Sequence, residues 1–221
     1  MKIINSMLFW IVRNFLKRQH SLEFIGPETI SSSSTQDLIT FRDGILSKTA
    51  PYLYDEEGLE NEALGEFDQR SFHFGVKFQG NVVAYVRLTP AGFELSTLGQ
   101  SWSAISRHYD DYIEFNRLVA DPNIPKRGYF GRLLLLYVGL WLFERSNYKG
   151  IVAICRPERI EFLNSFGLSS VTGLTTYLPK RKENYQMLIG SRKEILTTIL
   201  KKYLTDNRMF NSAYRMGSLS K

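Results

Sequence analysis

Tyr112-Ile-Glu-Phe-Asn-Arg-Leu-Val-Ala-Asp121 leads into Pro122-Asn-Ile-Pro-Lys-Arg-Gly-Tyr-Phe-Gly-Arg132, and this stretch decides how the rest of the chain is read. An apolar run from Leu133 to Phe143 follows it, then Gly150-Ile-Val-Ala-Ile-Cys155, then Arg156-Pro-Glu-Arg-Ile-Glu-Phe-Leu-Asn-Ser-Phe-Gly-Leu168. Ile113, Phe115 and Leu118-Val119 surround polar residues in a short β-favouring run, which reads as a partly buried strand. Pro122 and Pro125 end it, because proline gives no N–H to a ladder. Gly128 and Gly131 bracket a turn with Lys126, Arg127 and Arg132 around it. With a helix starting near Phe130, its first N–H groups face that turn and make an anion site. Leu133–Phe143 is apolar nearly all round, so that helix is expected to be buried. Ile151–Cys155 has the unbroken apolar character of a central strand. The order is strand, basic turn, helix, strand, helix, with Glu114 and Arg117 at its front.

Outward from this block, Phe72–Phe78 and Val82–Leu88 read as a hairpin closed at Gln79-Gly80-Asn81. Ser34 or Thr35 caps a helix that carries Ile39, Phe41, Ile45 and Leu46, and Pro51 ends it. Residues 21–36, with Gly26-Pro27 and a serine run, read as a linker. Residues 52–66 are acidic and tyrosine-bearing and read as a mobile loop. Residues 93–111 read as a connection with a short helix near Ser101–Arg107. Strands are expected at Thr172–Leu178 and Tyr185–Ile189, joined by the basic turn Lys180-Arg181-Lys182, and then a helix over 191–205. The sum is an α/β (α+β) mixed sheet with helices on both faces. The boundaries read as an N-terminal amphipathic helix and linker over 1–36, a catalytic domain over 37–205 and a tail over 206–221.

At 221 residues, 43% hydrophobic, the chain has ample material for one core. One cysteine and three scattered histidines exclude a disulfide framework and make a metal centre an unattractive reading, so none is assigned. The cytoplasm is the default compartment. The net charge of +6 suits an acidic protein, anionic lipid or nucleic acid. Nucleic acid ranks low, because the lysines and arginines do not interleave with an aromatic binding motif. Arg13 and Lys17 interrupt the only candidate span, Met1–His20, and no small-residue cleavage site follows it. It reads as an amphipathic helix that docks on the domain, with peripheral membrane contact as the alternative.

The strand–turn–helix–strand–helix order resembles the GNAT N-acyltransferases. In that family an Arg/Gln-x-x-Gly-x-Gly/Ala loop holds a pyrophosphate, and Lys126–Arg132 is similar to a shortened version without the middle glycine. Within the family, the chain is similar to the long-chain N-acyl amino acid synthases and the acyl-homoserine-lactone synthases. Arg42, Glu66-Phe67-Asp68, Arg87 in Tyr-Val-Arg-Leu, and Glu114-Phe115-Asn116-Arg117 carry that similarity. Leu46, Tyr52 and Ser71 stand where the lactone synthases keep a Phe, a Trp and a second Asp. Those positions belong to the S-adenosylmethionine side, so the resemblance favours the amino acid synthases.

The resemblance implies transfer of a fatty acyl group from the phosphopantetheine thioester of acyl carrier protein to the α-amine of an amino acid. No resident cofactor is implied. Glu114 is the candidate base, with Arg117 mainly structural. On a regular strand these two, three residues apart, point to opposite faces, so they meet only across a bulge. Arg87 binds the substrate carboxylate or pairs with Asp68 or Glu114, and Arg42 carries the same two readings. Asp68 holds the ammonium or orients an arginine. Lys126, Arg127, Gly128, Gly131 and Arg132 are the candidate phosphopantetheine and carrier contacts. Cys155 reads as a small core residue rather than a nucleophile. The rival readings are a lactone synthase and a non-catalytic module that binds lipid or carrier.

Overall fold

The computed structural model describes residues 21–51, 59–98, 100–125, 127–179 and 182–205, together with Trp10 and Asn14. The expected N-terminal helix is otherwise outside the described residues, as are Lys126, the basic pair Lys180-Arg181 and the tail 206–221. Seven strands form one sheet: β1 (Leu22–Glu28), β2 (Phe72–Phe78), β3 (Asn81–Thr89), β4 (Ile113–Ala120), β5 (Gly150–Cys155), β6 (Ser169–Leu178) and β7 (Glu183–Ser191). Their spatial order is β1-β2-β3-β4-β5-β7-β6. The helices are α1 (Ser33–Thr49), α2 (Leu59–Arg70), α3 (Gln100–His108), α4 (Arg127–Glu144), α5 (Pro157–Asn164) and α6 (Arg192–Thr205), with a 3₁₀ segment at Glu94–Leu98.

The hairpin forms as expected. Gln79 and Gly80 both have positive φ, 51° and 81°, the two-residue turn whose twist matches its strands. One face of the sheet is covered by α4 and α6. Phe74, Val86, Leu88, Phe115, Ile151 and Leu188 meet Leu133, Leu134, Val138, Ile195 and Ile199 there. The other face carries α1 over Tyr85 and Val119, and Phe93, Leu95 and Trp102 over Val152 and Met187. Gly167 follows α5 at φ +86°, where a side chain would be strained and would strike the backbone of Ile195.

Three expectations change. Residues 22–28, read as linker, form an edge strand paired antiparallel with β2. An edge tolerates Pro27, and the register shifts between Ile25 and Glu28. The acidic stretch read as a loop is helical from Leu59, and it delivers Phe67 and Asp68 to the core side. Helix α4 starts at Arg127, not near Phe130, so Gly128 lies in its first turn and Gly131 at the start of its second rather than in a preceding loop.

β4 and β5 are the parallel neighbours in an otherwise antiparallel sheet. They pair at Ile113↔Ile151, Glu114↔Val152 and Phe115↔Ala153, and no further. Beyond Phe115 the strands part, and the β4 edge facing β5 has no ladder partner among the described residues. α4 and α5, which follow these two strands, start at the parted end. A crevice at the carboxyl ends of parallel strands is where open α/β sheets take ligands.

Candidate functional site

The site is built on an irregularity in β4. Tyr85 faces Val119 and Arg87 faces Asn116, so one residue of β3 opposes two of β4, Arg117 and Leu118. Arg117 takes φ +56° at this bulge. The extra residue resets the alternation and turns Arg117 to the face that Glu114 occupies. Both lie on the side of α1, α2 and the 3₁₀ segment, at and just beyond the last β4–β5 pair.

On that face a chain of ion pairs runs through five elements. Asp43 accepts from Arg42 Nε at 2.7 Å. One oxygen, Asp68 Oδ1, accepts from Arg42 at 2.6 Å and from Arg87 at 2.7 Å. Glu94 pairs through one oxygen with Arg87 and through the other with Arg117. Asn116 Oδ1 accepts from Arg87 Nε at 2.9 Å. Arg87 is fully buried, so each of its nitrogens needs a partner and each has one. Burial opposes its charge, but Glu94 and Asp68 outweigh burial and raise its pKa. Burial also works to raise the Asp68 pKa, yet Arg42 and Arg87 hold this carboxyl below its usual range. Arg117 keeps Nε buried with no hydrogen-bond partner.

His73 and Tyr85 brace the network from below. His73 Nε2 is 2.9 Å from the Asp68 carbonyl, which only accepts, so Nε2 carries the proton. Nδ1 then accepts from the Tyr85 hydroxyl at 2.9 Å. Burial lowers the His73 pKa, which keeps the ring neutral among the arginines.

Glu114 is 2% exposed. Its Oε2 accepts the Glu94 N–H at 2.6 Å and its Oε1 the Leu95 N–H at 3.0 Å. Burial, then the Glu94 charge, push its pKa up to about 8 against the pull of those two N–H groups and Arg87. Segment 93–98 covers this carboxyl, so among the described residues the candidate base has no open pocket beside it. A cavity of about 10 Å³ lies on the opposite face of the sheet, among Phe115, Leu135, Val138, Leu163 and Ile199, and is too small for an acyl chain. Phe72, Phe74, Phe78 and Tyr85 pack against Trp141, Tyr137, Phe130 and His73.

The expected pairings of Arg42, Asp68 and Arg87 with one another are present. Arg117 meets Glu114 only through Glu94, a residue the sequence reading left inside a linker. At the start of α4, Gly128 is exposed and a Cβ there would meet nothing of the chain within 4 Å, so its backbone is open to approach, whereas Gly131 is buried one turn further on. Arg132 is partly exposed with Nε buried and unpartnered. Lys126 and the Arg127 side chain lie outside the described residues. Cys155 is buried and its thiol is pushed up to about 11 by that burial, which disfavours a thiolate nucleophile. No described helix is long and apolar enough to cross a membrane.

No protein-family model matches this chain, and no curated protein does. Solved structures do. BjaI, a CoA-dependent acyl-homoserine lactone synthase solved with MTA, superposes with a TM-score of 0.61 at 11% identity, over 82% of this chain and 88% of that one. FeeM, an N-acyl amino acid synthase from uncultured soil microbes, gives 0.54 at 10% identity, over 84% and 97%. An acyl-CoA N-acyltransferase from Pseudomonas aeruginosa gives 0.52 at 12%, over 76% and 97%. At such identities the likeness is one of fold: this chain has the GNAT-like acyltransferase fold that the sequence resemblance implied.

Proposed function

We propose that the chain is an N-acyltransferase that moves a fatty acyl group from acyl carrier protein to the amine of an amino acid. The observation that carries this reading is the parting of β4 from β5 after Phe115 and Ala153, beside both the arginine–carboxylate network and the start of α4. A thioester entering there places its phosphate near Gly128 and Arg132, where exposed backbone at a helix N-terminus favours an anion. Arg87 and Arg117 receive the acceptor's carboxylate, and Asp68 with Arg42 fixes the direction of Arg87.

Glu114 is the base, and it works once segment 93–98 lifts from it. It takes the ammonium proton, the freed amine attacks the thioester carbonyl, the C–S bond breaks, and the thiolate leaves with a proton as the amide forms. The lifting segment is the condition on which the assignment depends.

Incubation with acyl-carrier and acyl-CoA thioesters and a panel of amines, read by mass spectrometry, tests the reading. Amide product with free amino acids supports it. Lactone formed only with S-adenosylmethionine replaces it with the lactone synthase reading. A second reading, a non-catalytic module that binds acyl carrier, is favoured by the covered Glu114. Carrier binding without turnover on any amine decides for that module.

A further inference from the structure

Glu94 touches both halves of the proposed acceptor site at once. Its backbone N–H donates to Glu114, and its own carboxylate lies between Arg87 and Arg117, with Asn116 Nδ2 at 3.3 Å. The nitrogen and the carboxylate carbon of a glutamate are separated by three carbons, Cα, Cβ and Cγ. The nitrogen is also acylated, by Phe93, whose side chain is fully buried with Leu95, Trp102, Val152 and Met187. Segment 93–94 thus has the outline of a finished product: an apolar acyl side, an amide N–H on the carboxyl of Glu114, and a carboxylate held by two arginines.

We propose that Glu94 is an internal stand-in for the acceptor, and that the acceptor is an amine with a carboxylate three carbons away. Two molecules share that chemistry: glutamate, through its α-amine and γ-carboxylate, and 4-aminobutanoate. The inference rests on the acyltransferase reading and adds the spacing that the acceptor must match. Displacing one short segment frees the arginines and uncovers Glu114 together, so a ligand meeting both groups gains what a ligand meeting one does not. The unpartnered Arg117 Nε is a further donor that an entering carboxylate satisfies. Glycine, with one carbon between its groups, cannot reach both positions.

The test uses the wild-type chain with an acyl-carrier thioester and the series glycine, β-alanine, 4-aminobutanoate and 5-aminopentanoate, with L-aspartate beside L-glutamate. The expected kcat/KM for 4-aminobutanoate or L-glutamate exceeds that of its shorter and longer neighbours by at least about tenfold, since a misfit leaves a buried charge unpaired. Whichever of the two leads identifies the source. Product formed at equal rates along the series overturns the inference and leaves the acyltransferase reading standing.

If no amine gives product, that reading fails, and binding decides the inference by itself. Calorimetry with 4-aminobutanoate and L-glutamate on Glu94→Gln and Glu94→Ala reads the removal of the internal competitor. A folded variant that binds either ligand at least about tenfold more tightly than the wild type supports the inference, the gain being the lost competition. A folded Glu94→Gln that binds no more tightly than the wild type overturns it. Thermal melts establish which variant is folded, and Glu94→Gln preserves the side-chain volume should Glu94→Ala fail to fold.

Discussion

Glu114 is pulled in two directions. Two backbone N–H groups reward its charge, while burial and the neighbouring Glu94 charge oppose it, and burial wins. Its pKa near 8 lies above the ordinary carboxyl value of 4.5. Between those values the folded chain holds a proton that the unfolded chain has released. That contribution to stability is complete below 4.5 and disappears as pH rises through 8, with a slope of up to about 1.4 kcal/mol per pH unit. Asp68 runs the other way: its depressed pKa stabilises the fold above the unfolded carboxyl value and is lost in acid. His73, whose pKa burial lowers, also changes stability between pH 5 and 9, so urea midpoints isolate Glu114 through the comparison with Glu114→Gln. The wild type is expected to lose stability across this window relative to Glu114→Gln. A difference between the two that does not change with pH would show that Glu114 does not titrate there. At this scale the sequence made legible the side chains that resemblance could place: Arg42, Asp68, Arg87, Glu114 and Arg117. It hid Glu94, because a carboxylate in a short 3₁₀ segment has neither periodicity nor a motif, and its importance comes from which backbone it carries to Glu114.

The elements separate into those with a local cause and those without. The β2–β3 hairpin, β4, α4, β5 and α6 follow from alternation, turn residues and long apolar runs, and all were legible. β1 was not, since Gly26-Pro27 punctuates it and an edge strand needs only one ladder. α2 was not, since its many acidic residues read as a solvated loop and outweighed the helical spacing of Leu59, Ala63, Leu64 and Phe67. The bulge in β4 was legible only as a condition for Glu114 and Arg117 to meet, and its place at Arg117 needed the register.

The start of α4 gives this scale its prediction. Gly128 is exposed in the first turn of that helix, with free space where a Cβ would go. Gly128→Ala should raise stability by about 0.5–1 kcal/mol, because alanine favours the helix. The same methyl stands where a phosphate would approach the backbone, so KM for the acyl donor should rise severalfold with kcat little changed. Thermal melts and initial-rate kinetics read the two effects separately. A stabilised variant with an unaltered donor KM would remove the first turn of α4 from the donor site.

Charge is the property of the whole molecule that bears on its partner. The chain carries 28 Lys and Arg against 22 Asp and Glu. Much of the acidic share near the site is already paired: Asp68, Glu94 and Asp43 each hold an arginine. The part of the positive balance that projects into solvent is free to attract an acidic partner, and acyl carrier protein is the partner the proposed reaction requires. Long-range attraction of this kind acts on the encounter rate and fades as the Debye length shrinks, from about 10 Å at 0.1 M salt to about 3 Å at 1 M. With the acyl group on carrier protein, kcat/KM should fall about tenfold or more between 0.05 and 0.5 M salt. With the same acyl group on uncharged pantetheine it should stay nearly constant, because that donor has no field to be steered by. The comparison separates steering from an effect of salt on the buried ion pairs, which would lower both rates together. Equal salt profiles for the two donors would mean that the basic surface does not guide the acyl donor, and its charge would then need another partner.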